Sequence, residues 1–142
     1  TNPTEKLLTN GIRGSLKYSD FEWCSWADND SVSFTIDLLK LEMLNTLILG
    51  CITNNGMAIH KPASVRVEVS DDNSKFREAV VQSFTSEEIF REGNFIENLS
   101  LKLGGTQARY VRVTAKGPGV CPASHVRPGQ TSRIFFDEVM LE

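Results

Sequence analysis

The residues with the most evident chemistry lie between Gly117 and Glu142. Cys121 and His125 could supply a nucleophile and a base, or two ligands for a zinc ion. The sequence supplies no third group to orient them, and a Cys-x₃-His spacing alone is weak evidence for zinc. It also contains no Gly-x-Ser-x-Gly motif and no phosphate-binding loop. These observations indicate a non-catalytic domain.

An acidic pair, Asp137 and Glu138, interrupts an apolar pattern near the end of the chain. The surrounding segment, Arg133 to Leu141, is predicted to be a buried strand. A carboxylate in such a strand needs a compensating partner. The loop before the strand is rich in glycine and proline and carries polar groups that could meet a ligand. Together these features predict a binding module with a structural cation.

Aromatic and polar side chains suitable for a sugar lie in three irregular stretches. A ring covers the C–H face of a pyranose, and fixed polar groups bond its hydroxyls. Trp23 and Trp26 are the candidate rings, and Phe21 is a weaker one. Each tryptophan could instead plug the end of a sandwich as a core residue. The candidate polar groups are Asn54, Asn55, His60, Ser124, His125 and Arg127.

Length and composition indicate one globular domain covering residues 1–142, with 40% hydrophobic and 23% charged residues. The net charge of −3 argues against nucleic acid as a partner. No apolar segment is long enough to span a membrane. The chain starts at Thr1 rather than Met, so we expect a fragment of a longer protein. Three cysteines exclude a complete disulfide framework; Cys51 is predicted in the core, and a Cys24–Cys121 pair stays open.

Alternating apolar residues predict a series of short strands separated by turn signals. A helical turn is expected within Thr85 to Gly93, where acidic residues follow Ser86. This pattern favours an antiparallel sandwich. The predicted strands are Val32–Leu38, Asn45–Ile52, Ser64–Ser70, Glu78–Phe84, Leu99–Leu103, Tyr110–Ala115 and Arg133–Leu141.

Four stretches in this order resemble one known family: LTNGIRGS, SVRVEVSDDNSKF, YVRVTAKGPGVCPASH and FFDEVMLE. The chain resembles the discoidin or coagulation factor 5/8 type C family, which includes the family 32 carbohydrate-binding modules. It is most similar to C-terminal modules of bacterial chitobiase-like β-N-acetylhexosaminidases. The resemblance implies an all-β, eight-stranded antiparallel jelly-roll sandwich of the galactose-binding-domain type.

The resemblance also implies a structural Ca²⁺ that ties the N-terminal loop to the last strand. Asn10 stands where the family usually has aspartate, so one negative charge is lost and weaker binding is expected. In the alternative, Asn10-Gly11 is only a turn and Glu138 is exposed at an edge. The implied ligands are the side chains of Asn10, Ser15 and Glu138 and the backbone carbonyls near Leu7, Ile12 and Asp137.

The function implied is that of a non-catalytic carbohydrate-binding module of a bacterial glycosidase, periplasmic, outer-membrane-associated or secreted. Its partners would be a glycan bearing galactose or N-acetylhexosamine and the catalytic domain of the same chain. The family places Trp23 inward, which leaves Trp26 as the platform. Two alternatives stay open: a structural accessory domain, and adhesion through an apolar tip at Met57 to Ile59. The implied sugar-binding residues are Trp26, Asn54, Asn55, His60, Ser124 and His125.

Overall fold

The computed structural model describes residues 24–26, 31–125 and 127–142, and nearly all of the regular structure there is β. All pairings between the named strands are antiparallel, in the order β1-β6-β2-β5-β3-β4. In the part of the chain so described, no helix is long and apolar enough to cross a membrane. The elements are β1 Cys24–Trp26, β2 Ser31–Asn54, a 3₁₀ turn Asn55–Met57, β3 Ser64–Ser70, β4 Arg77–Ser83, α1 Ser86–Ile89, β5 Asn94–Lys116 and β6 Ile134–Leu141.

Two long strands, β2 and β5, each join two strands that the sequence predicts separately. Their register shifts between Asp37 and Glu42, where Leu39 has a φ of 71°, and Gly104 and Gly105 in β5 also have positive φ. Such irregularities bend a strand without ending its pairing. The first half of β2 pairs with the β5 half that reaches β3, and the second half pairs with both β5 and β6.

One buried cluster receives side chains from both halves of this long hairpin, so the sheet folds over itself into a sandwich. Counting β2 and β5 once in each layer, the six described strands supply eight strand segments, which confirms the all-β jelly-roll prediction. The inward alternation of Val65, Val67 and Val69 is confirmed, since all three are fully buried. Cys51 is also a core residue, with 0% exposure.

The predicted helical turn is confirmed as α1. A capping box begins it: Glu88 N donates to Thr85 Oγ1 (3.2 Å), and Thr85 N donates to Glu88 Oε1 (3.1 Å). The side chains therefore satisfy two of the backbone N–H groups that a helix start leaves unpaired. The turn leads into β5 and places Phe90 against the loops described next.

Candidate functional site

Several strand ends meet at one end of the layer that contains β1, β6, β2 and β5. The last residue of β2, Asn54, is opposite the first residue of β5, Asn94. At the same end, Trp26 of β1 is opposite Ile134, the first residue of β6. The connections that leave these ends, residues 55–63 (the middle loop) and residues 117–133 (the last loop), therefore lie together.

Backbone hydrogen bonds join the two loops. Arg133 N donates to Ala58 O (2.9 Å), and His60 N donates to Arg133 O (3.0 Å). These bonds make Ile59 a bridge partner of Arg133 although the two lie far apart in the chain. The backbone of His60 is consequently fixed against the last loop.

The last loop is also closed on itself by backbone bonds. Cys121 N donates to Gln130 O (2.8 Å), and Gly129 N donates to Cys121 O (2.9 Å). Gly129 has a φ of 75°, a conformation that glycine adopts without the cost a side chain would add. This closure holds Cys121 and His125 on the inner side of the loop, where their exposures are 2% and 8%.

A buried group of five polar side chains fills the space between the loops. We call it the histidine cluster: Asn55, His60, Cys121, His125 and Ser132. His60 Nε2 lies 3.2 Å from His125 Nε2, and His60 Nδ1 lies 2.6 Å from Ser132 Oγ. Phe90 covers the cluster, with its ring centroid 4.9 Å from that of His60 in an edge-on arrangement.

The hydrogen-bond partners assign the histidine tautomers. Arg127 N donates to His125 Nδ1 (2.9 Å), so the His125 proton is on Nε2 and points at His60 Nε2. His60 then carries its proton on Nδ1 and donates it to Ser132 Oγ, which donates to Ala58 O (3.2 Å). Both imidazole rings are therefore neutral, and the hydrogen bonds run in one direction from His125 through His60 and Ser132 to Ala58 O. Asn55, whose amide end is 3.1 Å from His60 Nε2, fits this chain with its NH₂ side facing the ring.

Burial shifts the pKa values of His60 and Cys121. Desolvation by burial, and to a smaller extent the electrostatic interaction with His125, lower the pKa of His60 from 6.5 to about 4. Burial also raises the pKa of the Cys121 thiol, an effect that nearby Arg127 only partly opposes. A thiol held protonated is a poor nucleophile, so the cluster does not support covalent catalysis. Cys121 is a free thiol, and the possible Cys24–Cys121 disulfide is not formed.

Comparison with known proteins identifies the family. The sequence profile of the F5/8 type C domain matches residues 2–127. The chain belongs to the F5/8 type C domain family. None of the curated proteins compared with the chain matches it.

Solved structures similar to this F5/8 type C domain include carbohydrate-binding modules. Their sequence identities to this chain are low, so the similarity establishes only the fold. A family 32 module from a family 31 glycoside hydrolase of Clostridium perfringens is 13% identical, with a TM-score of 0.61 over 96% of this chain and 82% of its own. The C-terminal domain of a chitobiase from Bacteroides fragilis is 16% identical, with a TM-score of 0.53 over 91% and 74%. A Clostridium perfringens module solved with GalNAc-β-1,3-galactose is 16% identical, with a TM-score of 0.52 over 80% and 67%.

The predicted sugar-binding residues of the F5/8 type C domain all map to the loop end but differ in exposure. Ser124 is exposed and Asn54 is half-buried, whereas Asn55, His60 and His125 are buried in the histidine cluster. These three side chains lie beneath the surface and pack under the residues that are exposed there. Trp26 reaches this end through its backbone register, and its side chain lies outside the described residues, as do Phe21 and Trp23. The sugar-binding role of these residues stays a prediction.

The apolar tip that adhesion would require is not formed. Met57 is 39% exposed, but Ala58 and Ile59 are 0% and 1% exposed because both face inward at the bridge to the last loop. Arg127 instead spans the two loops, with its Nε donating to Gly56 O.

The two predicted calcium residues that the structure describes lie on β6. Asp137 and Glu138 are 0% and 4% exposed, so Glu138 is not exposed to solvent at an edge. The pairing of β6 with β2 shifts register here: Cys51 is opposite Phe136 and Leu49 is opposite Val139, so Asp137 and Glu138 lie at a bulge that interrupts the alternation of faces. The assignment of the Glu138 carboxylate and the Asp137 backbone carbonyl as calcium ligands stays a prediction. The other four predicted ligands, Leu7, Asn10, Ile12 and Ser15, lie outside the described residues.

A separate open groove of about 640 Å³ lies over the other part of the sheet. Arg66, Lys116 and Thr114 line it together with the start of the last loop, Gly117 to Gly119. Among the side chains that the structure describes, no predicted sugar-binding residue lines this groove. The loop end therefore remains the candidate site.

Proposed function

We propose that this F5/8 type C domain is a non-catalytic carbohydrate-binding module of a bacterial glycosidase. It binds glycans bearing galactose or N-acetylhexosamine through its loop end. One observation carries the proposal: the register of β1 and β6 brings Trp26 to the end where the middle and last loops meet. The sugar complex of the Clostridium perfringens relative supports the proposal by likeness of fold.

The histidine cluster provides the rigid floor that such a site needs. Loops that present polar groups lose less entropy on binding when they are already held in place. Ser124 and Arg127 lie on the exposed side of the last loop, and Asn54 lies half-buried at the end of β2. A shallow site of this kind immobilises little of the ligand and exchanges hydroxyl–water bonds at small net gain, so the affinity is weak.

A second candidate function is a structural accessory domain that packs on the catalytic domain of the same chain. One observation favours it: the side chains of Asn55 and His125 form hydrogen-bond contacts with His60 beneath the surface, where they cannot contact a sugar. In either case the parent protein would be periplasmic, outer-membrane-associated or secreted.

Titration calorimetry with galactose, N-acetylgalactosamine and N-acetylglucosamine distinguishes the two functions. We expect saturable binding of at least one sugar at millimolar concentrations, lost in Trp26→Ala because the stacking platform is removed. Trp23→Ala is the matched control and should still bind, since that ring is predicted to pack inward. A Kd of about 10 mM corresponds to a binding free energy of only about −3 kcal/mol. If none of the three sugars gives a binding heat at about this concentration, the structural domain is favoured.

A structural Ca²⁺ is part of the proposal, held by Glu138 and the N-terminal loop. Buried oxygen donors suit this hard cation, which would balance the charge of the Glu138 carboxylate. For chelator-treated and desalted protein, adding Ca²⁺ at about a hundred times its Kd should raise Tm by about 5–10 °C. Glu138→Gln should remove this response, whereas Glu87→Gln, an exposed change in α1, should keep it. An equal response in both variants would refute the assignment of Glu138.

A further inference from the structure

The histidine cluster contains three side chains able to bind a transition metal. His60 comes from the middle loop, and Cys121 and His125 come from the last loop; one ligand atom of each lies within 4.8 Å of the other two. All three side chains are buried. We propose that these three residues form a zinc site of the His₂Cys type, distinct from the calcium site and from the sugar-binding surface.

The spacing of the ligand atoms suits a tetrahedral ion. Zn–N bonds of about 2.05 Å and Zn–S bonds of about 2.3 Å place two nitrogens about 3.4 Å apart and a nitrogen and sulfur about 3.6 Å apart. His60 Nε2 and His125 Nε2 are already 3.2 Å apart. The Cys121 sulfur lies within 4.8 Å of one ring nitrogen of each histidine, so it needs to approach that nitrogen by at most about 1.2 Å. A side-chain rotation of Cys121 on its closed loop provides such a movement.

The type of donor atom selects the metal. Two imidazoles and a thiolate suit zinc and other borderline or soft ions, whereas calcium and magnesium take oxygen ligands. His60 is prepared for this role because its Nδ1 donates to Ser132 Oγ and leaves the lone pair of Nε2 facing the site. Three protein ligands leave a fourth position for water or for the Asn55 side chain, whose amide end is 3.1 Å from His60 Nε2 and would have to turn its oxygen toward the metal.

Zinc binding requires a defined rearrangement of protons. The Cys121 thiol releases its proton to solvent, and the His125 proton moves from Nε2 to Nδ1 so that Nε2 can bind the metal. A protonated Nδ1 no longer accepts the Arg127 N–H, which is its donor in the metal-free chain. Occupancy of the site and this hydrogen bond therefore exclude each other. Metal binding should thus be visible at the Arg127 backbone amide.

Cobalt substitution tests the site directly. We expect metal-free, untagged protein to bind one Co²⁺ per chain, with a thiolate-to-cobalt charge-transfer band and the strong visible absorption of tetrahedral Co²⁺. Zn²⁺ should displace the cobalt, whereas excess Ca²⁺ should not. Cys121→Ala should abolish the charge-transfer band and weaken Zn²⁺ binding by more than about 100-fold, since even second-shell losses cost about 10–100-fold. Cys51→Ala, at a second buried cysteine among the described residues, should keep the band.

Circular dichroism checks that both variants are folded. If Cys121→Ala does not fold, the wild-type protein still decides the question through amide NMR. Zn²⁺ should then shift the Arg127 amide and speed its hydrogen exchange. No charge-transfer band in the wild-type protein, a band that survives in Cys121→Ala, or an Arg127 amide that Zn²⁺ leaves unchanged would each overturn the proposal.

Discussion

Replacing Phe136 with alanine is expected to lower the free energy of unfolding by about 3–5 kcal/mol. Phe136 is fully buried in the middle of β6, opposite Cys24 of β1 and Cys51 of β2. The truncation removes ring contacts and leaves a cavity that paired strands on both sides cannot close. The loss would be a large share of a stability that is about 5–15 kcal/mol in ordinary domains.

Urea denaturation of both proteins measures this effect. The matched control is Val81→Ala, another apolar truncation, on β4 at the edge of the described sheet, where Val81 is 43% exposed. That change should cost no more than about 0.5 kcal/mol because little contact is lost. Equal losses in the two variants would contradict the central position assigned to β6.

Acid should destabilise the metal-free protein between about pH 6.5 and pH 4 through His60. Its pKa is about 4 in the folded chain and 6.5 as the ordinary value. Between these values the unfolded chain binds a proton that the folded chain excludes, so stability falls as the pH falls. At about 1.4 kcal/mol per pKa unit, the difference amounts to about 3 kcal/mol, which is fully present above pH 6.5 and lost at pH 4.

The measurement is the free energy of unfolding from urea curves at several pH values, in the presence of a chelator. His60→Gln serves as the control because glutamine does not titrate in this range. The wild-type protein should lose about 3 kcal/mol more than the variant as the pH is lowered from 7 to 4. Parallel pH profiles for the two proteins would show that His60 is not held neutral by burial.

The sequence by itself determined most of the sheet and the family. Val65, Val67 and Val69 alternate with polar residues, and a strand half-buried in a sandwich requires that period. The acids after Ser86 likewise predicted the helical turn, since acids are favoured within the first turn of a helix. Both signals are local, so neither needs knowledge of the rest of the chain.

Only the tertiary structure decided how far the strands run and which loop residues meet. The alternation around Leu39 stops at the bend, so the sequence predicted two strands where pairing with β5 continues past it. The sequence alone paired His125 only with Cys121 of its own loop, and the structure adds His60, which is 65 residues away. Their contact depends on the backbone bridge between Ile59 and Arg133, and a contact across that separation leaves no periodic signal in the sequence. For the same reason, the burial of His60 could not be predicted from its loop, because the last loop covers it.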